Sequence, residues 1–391
     1  VDASRAWAEI DLDALTRNLA RIRARIGDDV ALLLVAKADA YGHGAIPIAH
    51  HAVRAGVEAL GVTTCAEALE LRRAGVRARL IVLGPVWGED VLPALDQDVE
   101  LVVPSVEVYR RLEGTSRGAA ARARIHLKID TGMNRLGMTP EEALMLLEDL
   151  QGRPFLALAG LMTHVAATDG ARSASAREQT LRFETLLSQA RVAGLLEGKN
   201  ARAWAHVANS SCVLSGLQPL FDAVRVGAAA YGLSPDPRLF DADLEPVMSV
   251  RTRIVHLQEV GAGESVGYGG TWTASRVSRI AIVPVGYNDG VDWRLGNRGE
   301  VLVSGRRVPI VGHVSMDYTA IDVTEVARVT LGDRVTLLGR EGGARLRAEE
   351  IARLTGTVTY DVTCSIGKRV ERVFVGGANA PVTLRPDPLV R

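Results

Sequence analysis

The chain predicts an α/β fold: an N-terminal (β/α)8 TIM-type barrel followed by a mostly β C-terminal domain. Three observations predict it: a regular series of near-continuous apolar strands, amphipathic helical patterns between them, and an abrupt change of texture near residue 240. Strands covered on both faces lose the polar alternation of a half-exposed sheet, and that is how parallel strands under helices read. At 391 residues, two domains are expected rather than one.

The strand-like runs come in order. VALLLVAKADA (30–40) is followed by EALGVTT (58–64), ARLIVLG (78–84), VELVVPS (99–105) and ARIHLKIDTG (123–132). LALAGLMTHVA (156–166), AWAHVANSS (203–211) and AVRVGAAAYG (223–232) complete eight, which favours a closed ring over an open sheet. Between them lie helical patterns such as AEALELRRAG, TPEEALMLLEDL and SAREQTLRFETLLSQARVAG. RGAAARAR (117–124) reads as a solvated helix end, and PDPRLFDADLEPV (235–247), rich in Pro and Asp, as a linker. Short strands with close turns follow, including a hairpin at LVSGRRV, interrupted by one helical segment, AEEIARLTG. The expected division is 10–240 for the barrel and 241–391 for the β-rich domain, with residues 1–9 pairing with the latter.

Composition narrows the function classes. Forty-six basic and 46 acidic residues cancel, so no field favours nucleic acid or an anionic membrane. Cys65, Cys212 and Cys364 are too few and too scattered for a disulfide framework or a zinc site, so no metal is expected. Buried thiols in a reducing cytoplasm are the expectation. No apolar run approaches the ~20 residues of a membrane span, and no signal-type apolar region opens the sequence, so a cytoplasmic location is expected.

The residues that packing cannot explain gather at strand ends. In VAKADAYGHG (35–44), Lys37 ends an apolar strand just before Tyr41 and a Gly-His-Gly turn. An ammonium there costs several kcal/mol to desolvate unless it is paired, neutralised or used covalently. Lys128 and Arg135 follow strand five, and His164 follows strand six. His206, Asn209, Ser210 and Ser211 follow strand seven, while Arg225, Gly227 and Ala228 lie on strand eight. The C-terminal rim of such a barrel carries the active site, with phosphate held after strands seven and eight. A nucleophilic amine opposite a nest of small residues is the arrangement pyridoxal phosphate requires.

VAKADAYGHG, KIDTGMNRLG, ANSS, RVGAAAYGL, VGYGGTW, PVGYNDG and HVSMDYTAIDV, in this order, resemble the alanine racemase family over nearly the whole chain. The resemblance implies an enzyme of fold type III that uses pyridoxal 5'-phosphate and interconverts L- and D-alanine, supplying D-alanine for peptidoglycan. It implies two-base proton transfer on a cofactor aldimine, with Lys37 as Schiff-base lysine and base toward D-alanine. Tyr268, donated by the partner subunit of a homodimer, would be the base toward L-alanine. Arg225 would face the pyridine nitrogen with His206 behind it and His164 near the ring, and Tyr41, Ser210, Gly227, Ala228 and Tyr360 would bind phosphate. Asn209 belongs with this cofactor set. Arg135 would hold the substrate carboxylate and the Tyr268 phenol, with Lys128, at a position often carbamylated, steadying it. Met316 of the partner subunit would meet the carboxylate through its backbone, with Asp317 adjacent.

One base on each face is the simplest design for moving an α-proton from one side to the other. Ser315, Val358 and Asn288 stand where Cys, Ile and Ala are frequent in the family, and the last two border the access route. Plainer readings exist for single residues: a salt bridge from Lys128 to Asp130, satisfied barrel histidines at 164 and 206, a turn aromatic at Tyr268, core filler at Met316. Three other functions compete with alanine racemisation. One is a broader racemase acting on serine or lysine. The second is a decarboxylase of the same fold type, for which Cys364 lacks an acidic neighbour. The third is a non-enzymatic cofactor carrier, which leaves the second domain unexplained.

Overall fold

The computed structural model describes residues 4–166, 174–234, 244–377 and 383–384. The first strand, β1 (Ala6–Asp11), does not enter the barrel. The ring is built from β2 (Ala31–Val35), β3 (Ala59–Val62), β4 (Arg79–Val82), β5 (Val99–Val103), β6 (Ala123–Lys128), β7 (Leu156–Met162), β8 (Trp204–His206) and β9 (Ala223–Val226). These eight strands are parallel neighbours in the order β8-β7-β6-β5-β4-β3-β2-β9. Bridges from His206 to Phe221 and from Asn209 to Arg225 draw β8 toward β9, so the ring nearly closes. The predicted barrel is present.

Alternation along each strand decides what the barrel contains. In β2, Leu32 and Leu34 face the helices, while Leu33 and Val35 join Ala59, Ile81, Val102 and Met162 in the interior. In β6, Ala123, Ile125 and Leu127 pack outward, which turns Arg124, His126 and Lys128 inward. The same register turns Arg79, Glu100, His206 and Arg225 inward, so one side of the barrel core is polar. The covering helices start where the sequence caps them. Thr64 with Glu67 and Thr139 with Glu142 form capping boxes ahead of Cys65–Arg73 and Pro140–Gln151.

The second domain adds β10 (Met248–Arg253), β11 (His256–Val260), β12 (Ser265–Val266), β13 (Trp272–Thr273), β14 (Ser278–Val283), β15 (Glu300–Val303), β16 (Arg306–Pro309), β17 (Thr319–Asp322), β18 (Arg334–Glu341), β19 (Ala344–Leu346), β20 (Glu371–Val375) and β21 (Thr383–Leu384). Its main sheet runs β16-β15-β18-β10-β1-β20-β21, so β1 lies antiparallel to β10 and parallel to β20. A second sheet is β11-β14-β17, and β12 pairs with β13. The LVSGRRV hairpin is β15–β16, turned at Ser304 and Gly305.

Several expectations differ from the structure. Helix Val106–Ser116 stops before RGAAARAR, whose end is already β6, because its buried face is exhausted at Ser116. A second helix, Thr359–Cys364, follows AEEIARLTG; six residues are too few to show a helical period. Cys65 and Cys212 are buried, but Cys364 is exposed, because it ends that short helix beside the barrel rim. The linker expected at 235–247 lies outside the described residues from 235 to 243.

Candidate active site

Lys37 follows Ala36 at the end of β2, exposed at the rim. The next four residues, Ala38, Asp39, Ala40 and Tyr41, all have left-handed backbone angles, with φ of 52, 52, 53 and 57°. None is glycine, so each costs about 1–2 kcal/mol, and the surroundings must hold the turn. Ala40 N donates to Ala36 O at 2.9 Å, Ala38 N to Glu67 Oε1 at 2.7 Å, and Ala45 N to Asp39 Oδ1 at 2.6 Å. His43, buried and stacked on Tyr231 at 4.6 Å, sets Nδ1 2.9 Å from Ala40 O and 3.0 Å from Tyr41 O. Burial draws this imidazole down to about 4, so it is neutral and donates from Nδ1. Gly42 closes the turn at φ 82°; a Cβ there would stand 2.3 Å from Thr363 O in the helix Thr359–Cys364. Arg372 of β20 donates from Nε to Gly42 O at 3.1 Å, so the second domain clamps the lysine turn.

Tyr41 faces the loops after β8 and β9. Its ring meets Tyr231 at 5.2 Å and, edge-on, Tyr360 at 6.1 Å. Burial pushes its phenol up, so it stays a neutral donor. A Cβ on Gly227 would lie 2.5 Å from Tyr41 Oη, so only glycine admits this approach. Ser210 Oγ accepts from Gly227 N at 3.1 Å and Ala229 N at 3.3 Å, drawing the two loops into one cradle. Asn209 Oδ1 accepts from Cys212 N at 3.0 Å; its side chain caps helix Ser210–Ser215 and thereby aims Ser210.

Arg225 is buried at the floor. Nη1 donates to His206 O at 2.8 Å and to His206 Nδ1 at 3.1 Å. Nη2 donates to Thr163 O at 2.8 Å and Val207 O at 3.0 Å and lies 3.2 Å from His164 Nδ1. Nε donates to none of the described residues. Burial draws the guanidinium down to about 10, which leaves it a cation at neutral pH. Burial, with Arg225, Lys128, Arg135 and Lys37 nearby, draws His164 down to about 3. These four cations converge on one rim, a field suited to phosphate and carboxylate groups.

Lys128 is buried, and burial together with Arg225 and Arg135 brings its amine down to about 8. No salt bridge joins it to a described residue; Asp130 instead accepts from the amides of Gly132, Met133 and Asn134 at 2.8, 2.9 and 3.1 Å. Burial pushes that carboxyl up, but these amides outweigh it and hold it below the ordinary range. The turn so formed presents Arg135, exposed, at the rim.

In the single chain Tyr268 and Met316 are 77% and 53% exposed. Asp317 pairs with Arg369 at 2.8 Å, and Arg369 with Asp289 at 3.1 Å. Tyr287 N and Asn288 N donate to Ser315 O at 3.0 Å and Met316 O at 3.2 Å, locking the two loops together. Tyr287, Trp293 and Tyr318 are likewise exposed. Sequence reasoning missed Thr163, Arg372, His126 and Glu100. The signal for the last two was a charge inside VELVV and the strict alternation of RIHLK.

Two family models match: alanine racemase N-terminal domain over residues 10–235 and alanine racemase C-terminal domain over 247–374. The alanine racemase of Syntrophobacter fumaroxidans is 39% identical over 373 residues, covering 95% of this chain and 98% of its own. That of Symbiobacterium thermophilum is 38% identical, covering 96% and 98%. Among solved structures, alanine racemase from D-cycloserine-producing Streptomyces lavendulae superposes with a TM-score of 0.89 at 34% identity, covering 96% of this chain and 98% of that one. Alanine racemase from Bacillus anthracis with bound L-Ala-P gives 0.88 at 36%, covering 97% and 98%.

Proposed function

Because the chain belongs to the alanine racemase family, we propose that it interconverts L-alanine and D-alanine with Lys37 and Tyr268 as its two proton carriers. The observation that carries this reading is the meeting of a strand-end amine, a tight cradle and four cations at one barrel rim. The enzyme is an isomerase. Pyridoxal 5'-phosphate suits the residues present: Tyr41, Ser210, Gly227, Ala228 and Tyr360 for the phosphate, Lys37 for the aldehyde, and Arg225 with His164 for the ring. The free Nε–H of Arg225 and the bare Gly227 backbone held against Tyr41 Oη, where no Cβ fits, are the features that support the fit. When bound, this cofactor supplies an electron-withdrawing ring that stabilises negative charge on the substrate α-carbon.

The chain's own residues do the rest. Lys37 takes the α-proton from one face of the amino acid or returns it there. Arg225, protonated throughout, presents a donor to the ring nitrogen and so keeps that nitrogen from being protonated. Arg135 binds the substrate carboxylate, and Lys128 behind it, neutral in part near pH 8, is the amine that carbon dioxide would carbamylate. Gly227→Ala drives a methyl into Tyr41, an overpacking cost of about 1–3 kcal/mol, and is expected to weaken pyridoxal phosphate binding roughly tenfold in equilibrium dialysis.

The second proton carrier comes from a second copy. Tyr268, Tyr287, Trp293, Met316 and Tyr318 are all exposed in the single chain, and a homodimer covers them. The partner's Tyr268 then serves the opposite face of the substrate, and the partner's Met316 meets its carboxylate. The test follows D-alanine formed from L-alanine by chiral chromatography. The wild type forms it rapidly, and Lys37→Ala and Tyr268→Phe proteins each form it at least about 100-fold more slowly. Co-refolded one to one, the two variants regain about a quarter of wild-type activity, because half the dimers carry one intact site. No D-alanine from the wild type overturns the function; no regain on mixing overturns the shared site.

A further inference from the structure

Below Arg225 the polar side of the barrel forms a continuous hydrogen-bonded line to the opposite end. His206 Nε2 lies 2.9 Å from His126 Nδ1, and His126 Nε2 lies 2.6 Å from Glu100 Oε2. Arg79 grips Glu100 with Nε and Nη2, each at 2.8 Å, and Arg124 Nη2 reaches Glu100 Oε1 at 2.8 Å. Glu100, His126 and His206 are each 0% exposed, and Arg79 stacks on Trp204 at 3.6 Å.

Only one proton arrangement satisfies this line. A guanidinium can only donate, so His206 Nδ1 accepts from Arg225 and its proton sits on Nε2. That proton is donated to His126 Nδ1, which places the His126 proton on Nε2, facing Glu100. The carboxylate accepts it together with the Arg79 and Arg124 donors. Burial lowers both imidazoles, against the opposing pull of Glu100 on His126, so both are neutral. Burial pushes Glu100 up, but His126 and Arg79 outweigh it and hold it at about 2.

We propose that Glu100 and His126 are positioning residues for the racemase reaction, fixing the tautomer of His206 and through it the orientation of the Arg225 guanidinium. The proposal rests on the reading that Arg225 faces the cofactor ring. It assigns a task to groups that reach Arg225 only through His206: they determine which N–H of Arg225 remains for the ring nitrogen.

The isosteric variant Glu100→Gln tests it. Arg79 Nε and Arg124 Nη2 both donate to Oε1, so the new amide keeps its oxygen there and sets its NH2 where Oε2 stood, toward His126 Nε2; Arg79 Nη2, displaced from Oε2, keeps its bond to Ala159 O at 3.1 Å. That reverses the line: His126 becomes the Nδ1–H tautomer, His206 is forced to carry Nδ1–H, and this hydrogen meets the Arg225 donor. In the holoenzyme, 15N spectra of histidine-labelled protein are expected to show Nε2–H at both residues, unchanged across the pH range where a free histidine titrates. In Glu100→Gln the His206 signals shift to Nδ1–H, and the visible absorbance of the bound cofactor shifts with them. kcat falls on the order of 10- to 100-fold with KM unchanged, less than the ~10⁴ lost where a mis-set histidine itself carries the proton. Should Glu100→Gln not fold, His126→Phe ends the line at His206: Arg225 still holds the Nε2–H tautomer, but that proton loses its acceptor, so its N–H signal moves to the unbonded position and the cofactor absorbance shifts with it. An Nδ1–H tautomer in the wild type, an unchanged His206 tautomer in folded Glu100→Gln, or an unchanged His206 N–H signal in folded His126→Phe overturns the proposal. A tautomer change that leaves the cofactor spectrum unaltered also overturns it, by uncoupling the line from the ring. None of these outcomes bears on whether D-alanine is formed, so the functional reading fails or stands separately.

Discussion

Replacing Lys37 by alanine is expected to abolish racemisation in both directions. The rim holds other amines and guanidinium groups, but each has another setting. Lys128 is buried among Arg225 and Arg135, and Arg225 spends both η-nitrogens on protein acceptors. Among the described residues, only Lys37 sits at the strand end with Tyr41 and the Gly227 cradle one turn away. Loss of a positioned proton carrier alone costs about 10²–10⁴-fold. Loss of the covalent hold on the cofactor adds to it, so activity should fall by at least ~10⁴-fold. The check is twofold: the visible absorbance of covalently held cofactor disappears, and borohydride no longer fixes pyridoxal phosphate to the chain. A borohydride-fixed adduct at any other residue would refute the assignment.

Tyr268→Phe should lower turnover by about 10²–10⁴-fold while leaving the cofactor bound. Because L- and D-alanine have equal free energies, kcat/KM must fall equally in both directions. Racemisation rates therefore cannot reveal which face lost its proton carrier. Exchange of the α-hydrogen with deuterated solvent can. With the phenol gone, Lys37 still works the face it serves, so D-alanine should exchange with retained configuration while exchange from L-alanine slows far more. Equal slowing of exchange from both enantiomers would count against separate bases. The phenyl ring keeps the shape of the exposed turn Tyr268–Gly270, so folding and pairing should survive the change.

How much of this was legible in the sequence differs by element. The barrel strands were, because β2, β4 and β5 are short apolar runs bounded by turn residues, and the order of site motifs followed the strand ends. The polar half of the core was written in RIHLK, where Arg124, His126 and Lys128 alternate with Ile125 and Leu127. Such alternation in a strand covered by helices can only mean a polar interior. Apolar context hid Glu100: one acid in VELVV looks like an edge until the register places it inside. The roles proposed for Tyr268 and Met316 rest on the family resemblance, since in the single chain both side chains are exposed. The left-handed run after Lys37 was not legible at all. Ala, Asp, Ala and Tyr give no sign of it, because besides the neighbouring His43 the bonds that hold it come from Glu67 and Arg372, far away in the chain.

That run is the mirror image of an ordinary helical turn, and in a mirror-image turn the residue that fits without steric conflict is a D-amino acid. At Ala38 and Ala40 it would be D-alanine, the very enantiomer the reaction forms. Ribosomal synthesis supplies only the L form, so roughly 4–8 kcal/mol of conflict over four residues stays stored beside the reactive amine. The grip that restrains it spans both domains, through Glu67 on one side and Arg372 with Thr363 on the other. Prising the domains apart would let these residues relax to the right-handed form and swing the amine out of register, so the reach of Lys37 is only as secure as the seam between the two halves of the chain.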